Sequence, residues 1–136
     1  LQMQSLIVIS VVIATCLADL PAIHEKPVNI NVPNGGKLTL KIPSPTNIWH
    51  RKFTTSNLPE QYVETCNPYL DVCEKWRSGF LGKDVHDIKV SIGKDGTLTM
   101  PKVTAADSAQ YYTYYRANDG VHHYSYFNVV VGNARG

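Results

Sequence analysis

The chain contains no apolar run long enough to cross a membrane and no block of charge of one sign. Its longest apolar run, residues 6–14, is interrupted by Ser10, and it is less than half as long as the stretch of about 20 apolar residues that a spanning helix needs. The 13 Lys and Arg residues are scattered among 11 Asp and Glu residues, so no basic patch for nucleic acid or anionic lipid is indicated. We therefore expect neither membrane insertion nor a nucleic-acid partner.

The sequence also lacks the residue spacings of common catalytic and metal sites. No serine stands in a nucleophile elbow, and the neighbouring His122 and His123 would project to opposite faces of a strand. We predict that the protein is not an enzyme and that it binds no metal or cofactor. One rival hypothesis stays open, because a small secreted His-dependent enzyme would need His50, His122 or His123 to converge in a concave site.

Cysteine is scarce, with three residues in a chain of 136. Residues 1–18 carry no charged side chain and have small residues at Cys16 and Ala18, which predicts a secretory signal peptide cleaved after Ala18. Cys16 would leave with this signal peptide, so Cys66 and Cys73 would remain as an even pair in a secreted, extracellular protein. In that oxidising environment we expect these two cysteines to form a disulfide that closes a short loop.

What the chain does contain is a series of short segments in which apolar and polar residues alternate. Residues 37–42 alternate strictly, which places Leu38, Leu40 and Ile42 on the core face of a strand. Further short segments bounded by turn residues occupy residues 27–32, 48–53, 61–66, 87–92, 97–100, 110–116 and 123–131. We predict a single all-β domain over residues 19–136, built as an antiparallel β-sandwich of about seven to nine strands.

Two short sequence features predict the local structure between the later strands. The dipeptide Asp95-Gly96 predicts a hairpin with a primed turn, which matches the twist of the flanking strands. Helical periodicity is limited to one turn near residues 105–106. The chain between residues 87 and 131 is therefore predicted to run mainly through antiparallel strands.

A tyrosine-rich stretch of the chain, residues 96–115, contains the sequence D-S-A-Q-Y at residues 107–111. This sequence resembles the Asp-Ser-Gly/Ala-x-Tyr motif at the corner between strands E and F of immunoglobulin-superfamily domains. The resemblance covers residues 27–131 and implies an immunoglobulin-like domain of variable or intermediate type. It also implies that the Tyr111 hydroxyl bonds back to the backbone near the corner.

The same resemblance assigns structural roles to several other residues. Asp107 is expected to pair with a basic residue, for which Arg77 and Lys89 are the two candidates. Ile42 and Thr113 stand where the family has its two inter-sheet cysteines, so that crosslink is absent. Trp49 occupies the position of the buried tryptophan of strand C, and the resemblance implies that it packs against Ile42 and Thr113.

Strand alternation also predicts which side chains face solvent. If Tyr111 and Thr113 point inward, Tyr112 and Tyr114 point outward, and an inward Trp49 likewise turns the alternate residues of its strand outward. The outward residues that we predict to bind a partner are Tyr112, Tyr114, Tyr124, Tyr126, His50 and Lys52.

This predicted face suggests recognition of another protein. Aromatic side chains supply large contact areas at low cost in conformational entropy, and the superfamily commonly binds through the same sheet. We predict a secreted module that recognises an extracellular or cell-surface protein through this face and adjacent loops. Two alternatives stay open: the tyrosines only stabilise an exposed sheet, or the face joins copies of the chain in a homo-oligomeric structural or adhesion module.

Overall fold

A computed structural model of the chain describes residues 21–69, 72–79, 83–85 and 88–132. The predicted signal peptide, residues 1–18, lies outside these ranges. The strands are β1 (Ile23–His24), β2 (Val28–Pro33), β3 (Leu38–Leu40), β4 (Ile48–Lys52), β5 (Gln61–Glu64), β6 (Arg77–Ser78), β7 (Lys83–Asp84), β8 (Ser91–Ile92), β9 (Leu98–Met100), β10 (Ala109–Arg116) and β11 (His122–Gly132). One 3₁₀ turn, Ala105–Asp107, lies between β9 and β10 where the single helical turn was predicted. Within the described ranges, no helix is long and apolar enough to span a membrane.

The strands form two sheets. The larger sheet has the order β1-β11-β10-β4-β5-β6-β7, with β2 also paired to β11, and the smaller sheet has the order β3-β9-β8. Buried hydrophobic side chains from both sheets form one cluster, an arrangement compatible with a β-sandwich. The protein is therefore all-β with a two-sheet core, as the alternating segments predicted, but the described residues form 11 strands rather than about seven to nine.

Two strand pairs are parallel, which corrects the prediction of a purely antiparallel sandwich. β1 and β2 both run parallel to β11. β11 is 11 residues long, so its outer edge accommodates both N-terminal strands, with β1 beside His123 and Tyr124 and β2 beside residues 127–132. Sequence alternation reports which side chains face the core, and it carries no information on the direction of a neighbouring strand.

The core follows from the alternation of the strands in the two sheets. In β10 the odd-numbered residues are buried and the even-numbered residues are not, and both apolar residues of β3 and of β9 are buried. The large side chains that are fully buried are Trp49, Trp76, Arg51, Tyr111, Leu38, Leu40, Leu98, Met100, Val63, Val103 and Thr113. Two members of this set, Arg51 and Thr113, are polar and need partners inside the protein.

Several predicted strands are shorter than expected, including the segment 61–66, of which only Gln61–Glu64 is a strand. β3 ends at Leu40, and Ile42 is only half-buried beyond that end, although it packs against the core cluster. Pro43 follows Ile42, and proline offers no N–H to a ladder and restricts the residue before it. The strand predicted at residues 87–92 is reduced to Ser91–Ile92, and position 87 lies outside the described ranges.

The hairpin predicted between β8 and β9 is present, but its turn is not primed. Gly93 N–H donates to Thr97 O at 2.8 Å, and Gly96 N–H donates to Gly93 O at 3.0 Å. Primed turns require a positive φ at the first central residue, and neither Lys94 nor Asp95 has one, whereas Gly96 has φ of 89°. The left-handed position therefore follows the turn, as in three-residue hairpin loops with a bulge.

The predicted disulfide between Cys66 and Cys73 is confirmed. It closes the loop that follows β5, where Glu74 N–H donates to Glu64 O at 2.8 Å. This crosslink is local and does not join the two sheets.

Candidate functional site

The outer surface of the larger sheet carries a group of aromatic side chains, which we call the tyrosine face. Its members come from β1, β4, β5, β10 and β11 and are His24, His50, Tyr62, Tyr112, Tyr114, His122, Tyr124 and Tyr126. Each ring lies near the next, and the longest of these centroid separations is 6.4 Å. The tyrosine face is therefore one continuous array of rings across five strands.

The register of β10 and β11 sets the centre of the tyrosine face. Tyr112 lies directly opposite Tyr126, and Tyr114 lies opposite Tyr124. The ring centroids of these pairs are 5.9 Å and 5.6 Å apart. Cross-strand aromatic pairs contribute about 0.2–1 kcal/mol each, so these rings stabilise the sheet while they face outward.

β4 and β5 extend the tyrosine face to one side. His50 lies opposite Tyr112 and stacks on it, with the ring centroids 4.9 Å apart and the planes 9° apart. Tyr62 comes next, and its ring lies 5.8 Å from the Arg77 guanidinium. This cation–π contact places a positive charge at the β5 margin of the face.

β1 covers the opposite side of the tyrosine face. The His24 ring stacks on Tyr124 with the centroids 4.8 Å apart, and its Nδ1 lies 2.5 Å from the Tyr126 hydroxyl. The following residue, Glu25, donates its backbone N–H to Tyr124 O at 2.8 Å. β1 therefore shields part of two rings that would otherwise face solvent.

The centre of the tyrosine face is uncharged near neutral pH. Burial raises the pKa of Tyr112, and so does the hydrogen bond that its hydroxyl donates to Glu60 at 2.6 Å. Burial also raises the pKa of Tyr126, with the nearby Tyr124 as the second cause. Burial lowers the pKa of His50, although neighbouring glutamates act in the opposite direction. The neutral forms of these side chains therefore dominate at pH 7.

Five of the six residues predicted to bind a partner lie on the tyrosine face, namely Tyr112, Tyr114, Tyr124, Tyr126 and His50. Lys52 projects from the same side of β4 and is exposed at the end of that strand, outside the aromatic contacts. The face also contains Tyr62, His24 and His122, which were not among the predicted partner-binding residues. Tyr62 alternates with the buried Gln61 and Val63, so the alternation of β5 could have predicted that Tyr62 faces outward. β1 has only two residues, so His24 could not be predicted from periodicity.

A buried charge network supports the sheet behind the tyrosine face. Arg51 is 1% exposed, and its Nη1 donates to Asp107 Oδ1 and to the Tyr111 hydroxyl, both at 3.0 Å. Its Nε donates to Gln61 Oε1 at 2.7 Å, and its guanidinium lies 4.2 Å from the centroid of the Trp76 ring. The Nε and Nη1 donors of this buried cation are therefore hydrogen-bonded, and its guanidinium lies over the Trp76 ring.

Asp107 thus pairs with Arg51, and the prediction that its partner is Arg77 or Lys89 is wrong. An inward Trp49 places Arg51 on the same inward side of β4. A charged side chain at an inward position requires a partner, and this was the signal that sequence analysis overlooked.

The backbone bond expected at the corner is present. The Tyr111 hydroxyl donates to the backbone oxygen of Asp107 at 2.7 Å, and burial raises the pKa of Tyr111 to about 12. The Asp107 carboxylate also accepts the Thr104 N–H at 2.8 Å. Tyr111 and Asp107 therefore hold the 3₁₀ turn to the start of β10.

Hydrogen-bonded threonines lie between β4 and β10, beside the buried Trp49. Thr113 Oγ1 donates to Ile48 O at 2.5 Å, and Thr46 Oγ1 lies 2.9 Å from Thr113 Oγ1. Trp49 Nε1 donates to Gly96 O at 2.9 Å, and the Trp49 ring lies 5.8 Å from that of Phe127. The core around Trp49 is therefore held by hydrogen bonds and ring packing.

His123 contacts three parts of the chain on the opposite side of the sheet from the tyrosine face. Its Nδ1 lies 2.7 Å from Glu25 Oε1, and its Nε2 lies 2.9 Å from Asp119 Oδ2. Its ring stacks on Tyr115 with the centroids 5.8 Å apart. The hydrogen bonds to Glu25 and then to Asp119 raise the pKa of His123, which favours a protonated ring.

The three histidines of the rival enzyme hypothesis lie apart. His50 stacks on Tyr112, His122 contacts Tyr114 at the far end of the tyrosine face, and His123 faces away from it. In the part of the chain that the structure describes, no group of three His, Cys, Asp or Glu side chains is placed to hold a metal ion. The geometry that this hypothesis requires is not formed by these histidines.

A cavity of about 860 Å³ opens beside the 3₁₀ turn, between the loops that follow β4 and β7. Its polar lining residues include Arg51, Gln61 and Asp107, and Arg51 already donates hydrogen bonds to the other two. The candidate site that we consider further is therefore the tyrosine face.

No protein-family model matches the chain, and no curated protein matches it. The proposed function therefore depends on the side-chain geometry of the described residues.

Proposed function

We propose that the chain is an immunoglobulin-like domain of variable type that acts as a secreted protein-binding module. The order β11-β10-β4-β5-β6 in one sheet and β3-β9-β8 in the other supports this, because variable-type domains have strands G-F-C-C′-C″ in one sheet and B, E and D in the other. The hydrogen bond between the Tyr111 hydroxyl and Asp107 O supports it as well, since the family has such a tyrosine corner.

One observation carries the binding proposal: the tyrosine face is a continuous, outward-facing array of stacked and tilted rings. Aromatic side chains are enriched in protein interfaces, where they bury large areas with few rotamers to fix. The uncharged centre has Glu60, Lys52 and Arg77 at its margin, which matches the apolar core and polar rim of such interfaces. The face suits the flat surface of an extracellular protein.

The predicted signal peptide and the disulfide support an extracellular location. A Cys66–Cys73 disulfide persists in oxidising compartments and is rare in reducing ones. In this proposal the module acts by recognition, without catalysis and without a cofactor.

The experiment that tests this proposal compares three forms of residues 19–136. They are the wild-type chain, the double variant Tyr112→Ser/Tyr114→Ser, and a control variant Tyr69→Ser. Tyr69 is 93% exposed and lies outside the tyrosine face, so the control removes an exposed tyrosine without altering the face. Size-exclusion chromatography with light scattering gives the oligomeric state, and each form is then immobilised and exposed to extracellular fluid.

The proposal expects a wild-type monomer that retains a specific extracellular protein, with retention lost in the double variant and kept in Tyr69→Ser. A wild-type dimer that becomes a folded monomer in the double variant would instead support the homo-oligomeric adhesion module. Equal retention and equal mass for all three forms would contradict both readings of the tyrosine face.

A further inference from the structure

β1 is attached to the domain by few contacts. Both of its residues are exposed, and Ile23 leaves 42% of its surface in solvent. The attachment consists of the parallel pairing with β11, the His24 contacts with two tyrosine rings, and the Glu25 contact with His123. Segments with little apolar burial and solvent-exposed hydrogen bonds open at low free energy. The loss of any one of these contacts is therefore expected to make β1 detach more easily from β11.

The His123 contacts require a particular charge state. A neutral imidazole has one N–H donor and one lone pair, whereas a protonated imidazole has two donors. Nδ1 faces a Glu25 oxygen at 2.7 Å and Nε2 faces an Asp119 oxygen at 2.9 Å. Because ionised carboxylates only accept, both contacts are hydrogen bonds only when His123 is protonated. Loss of the proton turns one of them into a repulsion between a lone pair and a carboxylate.

The two carboxylates are not equally free to move. The other oxygen of Asp119 accepts the Val121 N–H at 2.8 Å, which fixes the carboxylate within its own turn. Both carboxylates are about half exposed, 46% for Glu25 and 49% for Asp119, and Glu25 differs in that it directly follows the two-residue β1. Glu25 is therefore the partner that separates more easily when His123 loses its proton.

Other titratable groups lie near His123 and must be distinguished from it. Tyr115 stacks on its ring from β10, and Glu25 and Asp119 face its two nitrogens. His24 and His122 are its neighbours on β1 and β11, and they contact Tyr124 and Tyr114 on the opposite side of the sheet.

We propose that residues 23–25 form a strap over the tyrosine face, which is held by protonated His123 and released when this histidine loses its proton. Release lifts the His24 ring from Tyr124 and frees the Tyr126 hydroxyl. The consequence for partner binding rests on the proposed function: the tyrosine face is larger, and binds more tightly, at pH values above the His123 titration than below it. The raised pKa of His123 fits this direction, because the strapped form holds the proton.

The test uses the protein without any partner. An NMR titration from about pH 5 to about pH 9 follows the protonation of His123. This range covers the pH values at which a histidine changes charge. Hydrogen exchange follows the Glu25 amide, which donates to Tyr124 O. Exchange rates are divided by those of a peptide of the same sequence, which removes the intrinsic effect of pH. Protection of this amide is expected to fall by about tenfold as His123 deprotonates, the effect of losing one hydrogen bond to a charged group.

Three variants identify the side chain that is responsible for the pH dependence of amide protection. Glu25→Gln changes an exposed side chain, so the domain folds, and we expect a lower His123 pKa and amide protection that no longer depends on pH, because a side-chain amide can accept from or donate to Nδ1. His24→Phe keeps a ring over Tyr124 without a titrating group, and it should leave the midpoint unchanged. His122→Asn removes the histidine next to His123 in sequence, and it should leave the pH dependence of Glu25 amide protection as in the wild type, because His122 contacts Tyr114 on the opposite side of the sheet from His123.

Constant protection of the Glu25 amide throughout the His123 titration would overturn the strap. So would a pH dependence that disappears in His24→Phe, because His24 itself would then be the sensor. Since no partner is present, this experiment can fail while the tyrosine face still binds a protein, and it can succeed while the face binds none.

Discussion

Arg51 is a cation that has almost no contact with water. Its charge is balanced by Asp107 at 3.0 Å, and its flat guanidinium group packs on Trp76. We predict that Arg51→Met destabilises the domain by about 3–5 kcal/mol, because it leaves the Asp107 carboxylate buried without its partner. Urea-induced unfolding measures this loss.

The neighbouring residue supplies the control for this variant. Lys52→Met changes an exposed side chain on the same strand and should alter the free energy of unfolding by less than about 0.5 kcal/mol. The double variant Arg51→Met/Asp107→Asn should lose less than the sum of the two single variants, because each single variant already breaks the same pair. Additive losses would mean that the two side chains act independently.

At the scale of elements, the Cys66–Cys73 disulfide tightens one loop beside β5. We predict that replacing both cysteines by alanine lowers the free energy of unfolding by up to about 2.5 kcal/mol, the chain-entropy estimate for such a short loop. The loss should appear in urea unfolding, while the circular dichroism spectrum of the sheets stays unchanged. Collapse of the whole fold would show that the bridge also supports the contact between the two sheets.

The strands differ in how well the sequence predicted them. Those with clear alternation, such as β4 and β10, lie where predicted, because their inward residues bury large side chains against the other sheet. β1 and its parallel pairing with β11 were not predicted, since two residues carry no period and the contact joins positions about 100 residues apart in sequence. The partner of Asp107 was also missed, because it depends on the register that places Tyr111 opposite Arg51.

At the scale of the whole molecule, the proposed interface is uncharged at its centre. We predict that any association through the tyrosine face, with a partner or with a second copy, weakens by less than about threefold between low and physiological salt, because screening acts mainly on exposed charges. Analytical ultracentrifugation or surface plasmon resonance at several salt concentrations measures this. A steep fall in affinity with salt would show that the interface involves the charged residues at the margin of the tyrosine face rather than its uncharged centre.

The candidate site was predictable only in its centre. Tyr112 and Tyr114 follow from the phase of β10, and Tyr124 and Tyr126 follow from the apolar residues later in β11. The outer members of the tyrosine face depend on strand pairing, as His24 shows. Charge states within the site depend on burial and on neighbours such as Glu60, which no local pattern reveals.

The local position of the Cys66–Cys73 disulfide has a consequence for the synthesis of the protein. The two sheets pack without a covalent link between them in the described ranges, and the one disulfide lies within a single loop. The hydrophobic core can therefore assemble before any thiol is oxidised, so folding of the core and formation of the crosslink are separate events. We therefore expect the two-sheet core to form in a reducing cytosol as well, at a cost of up to about 2.5 kcal/mol for the missing loop crosslink.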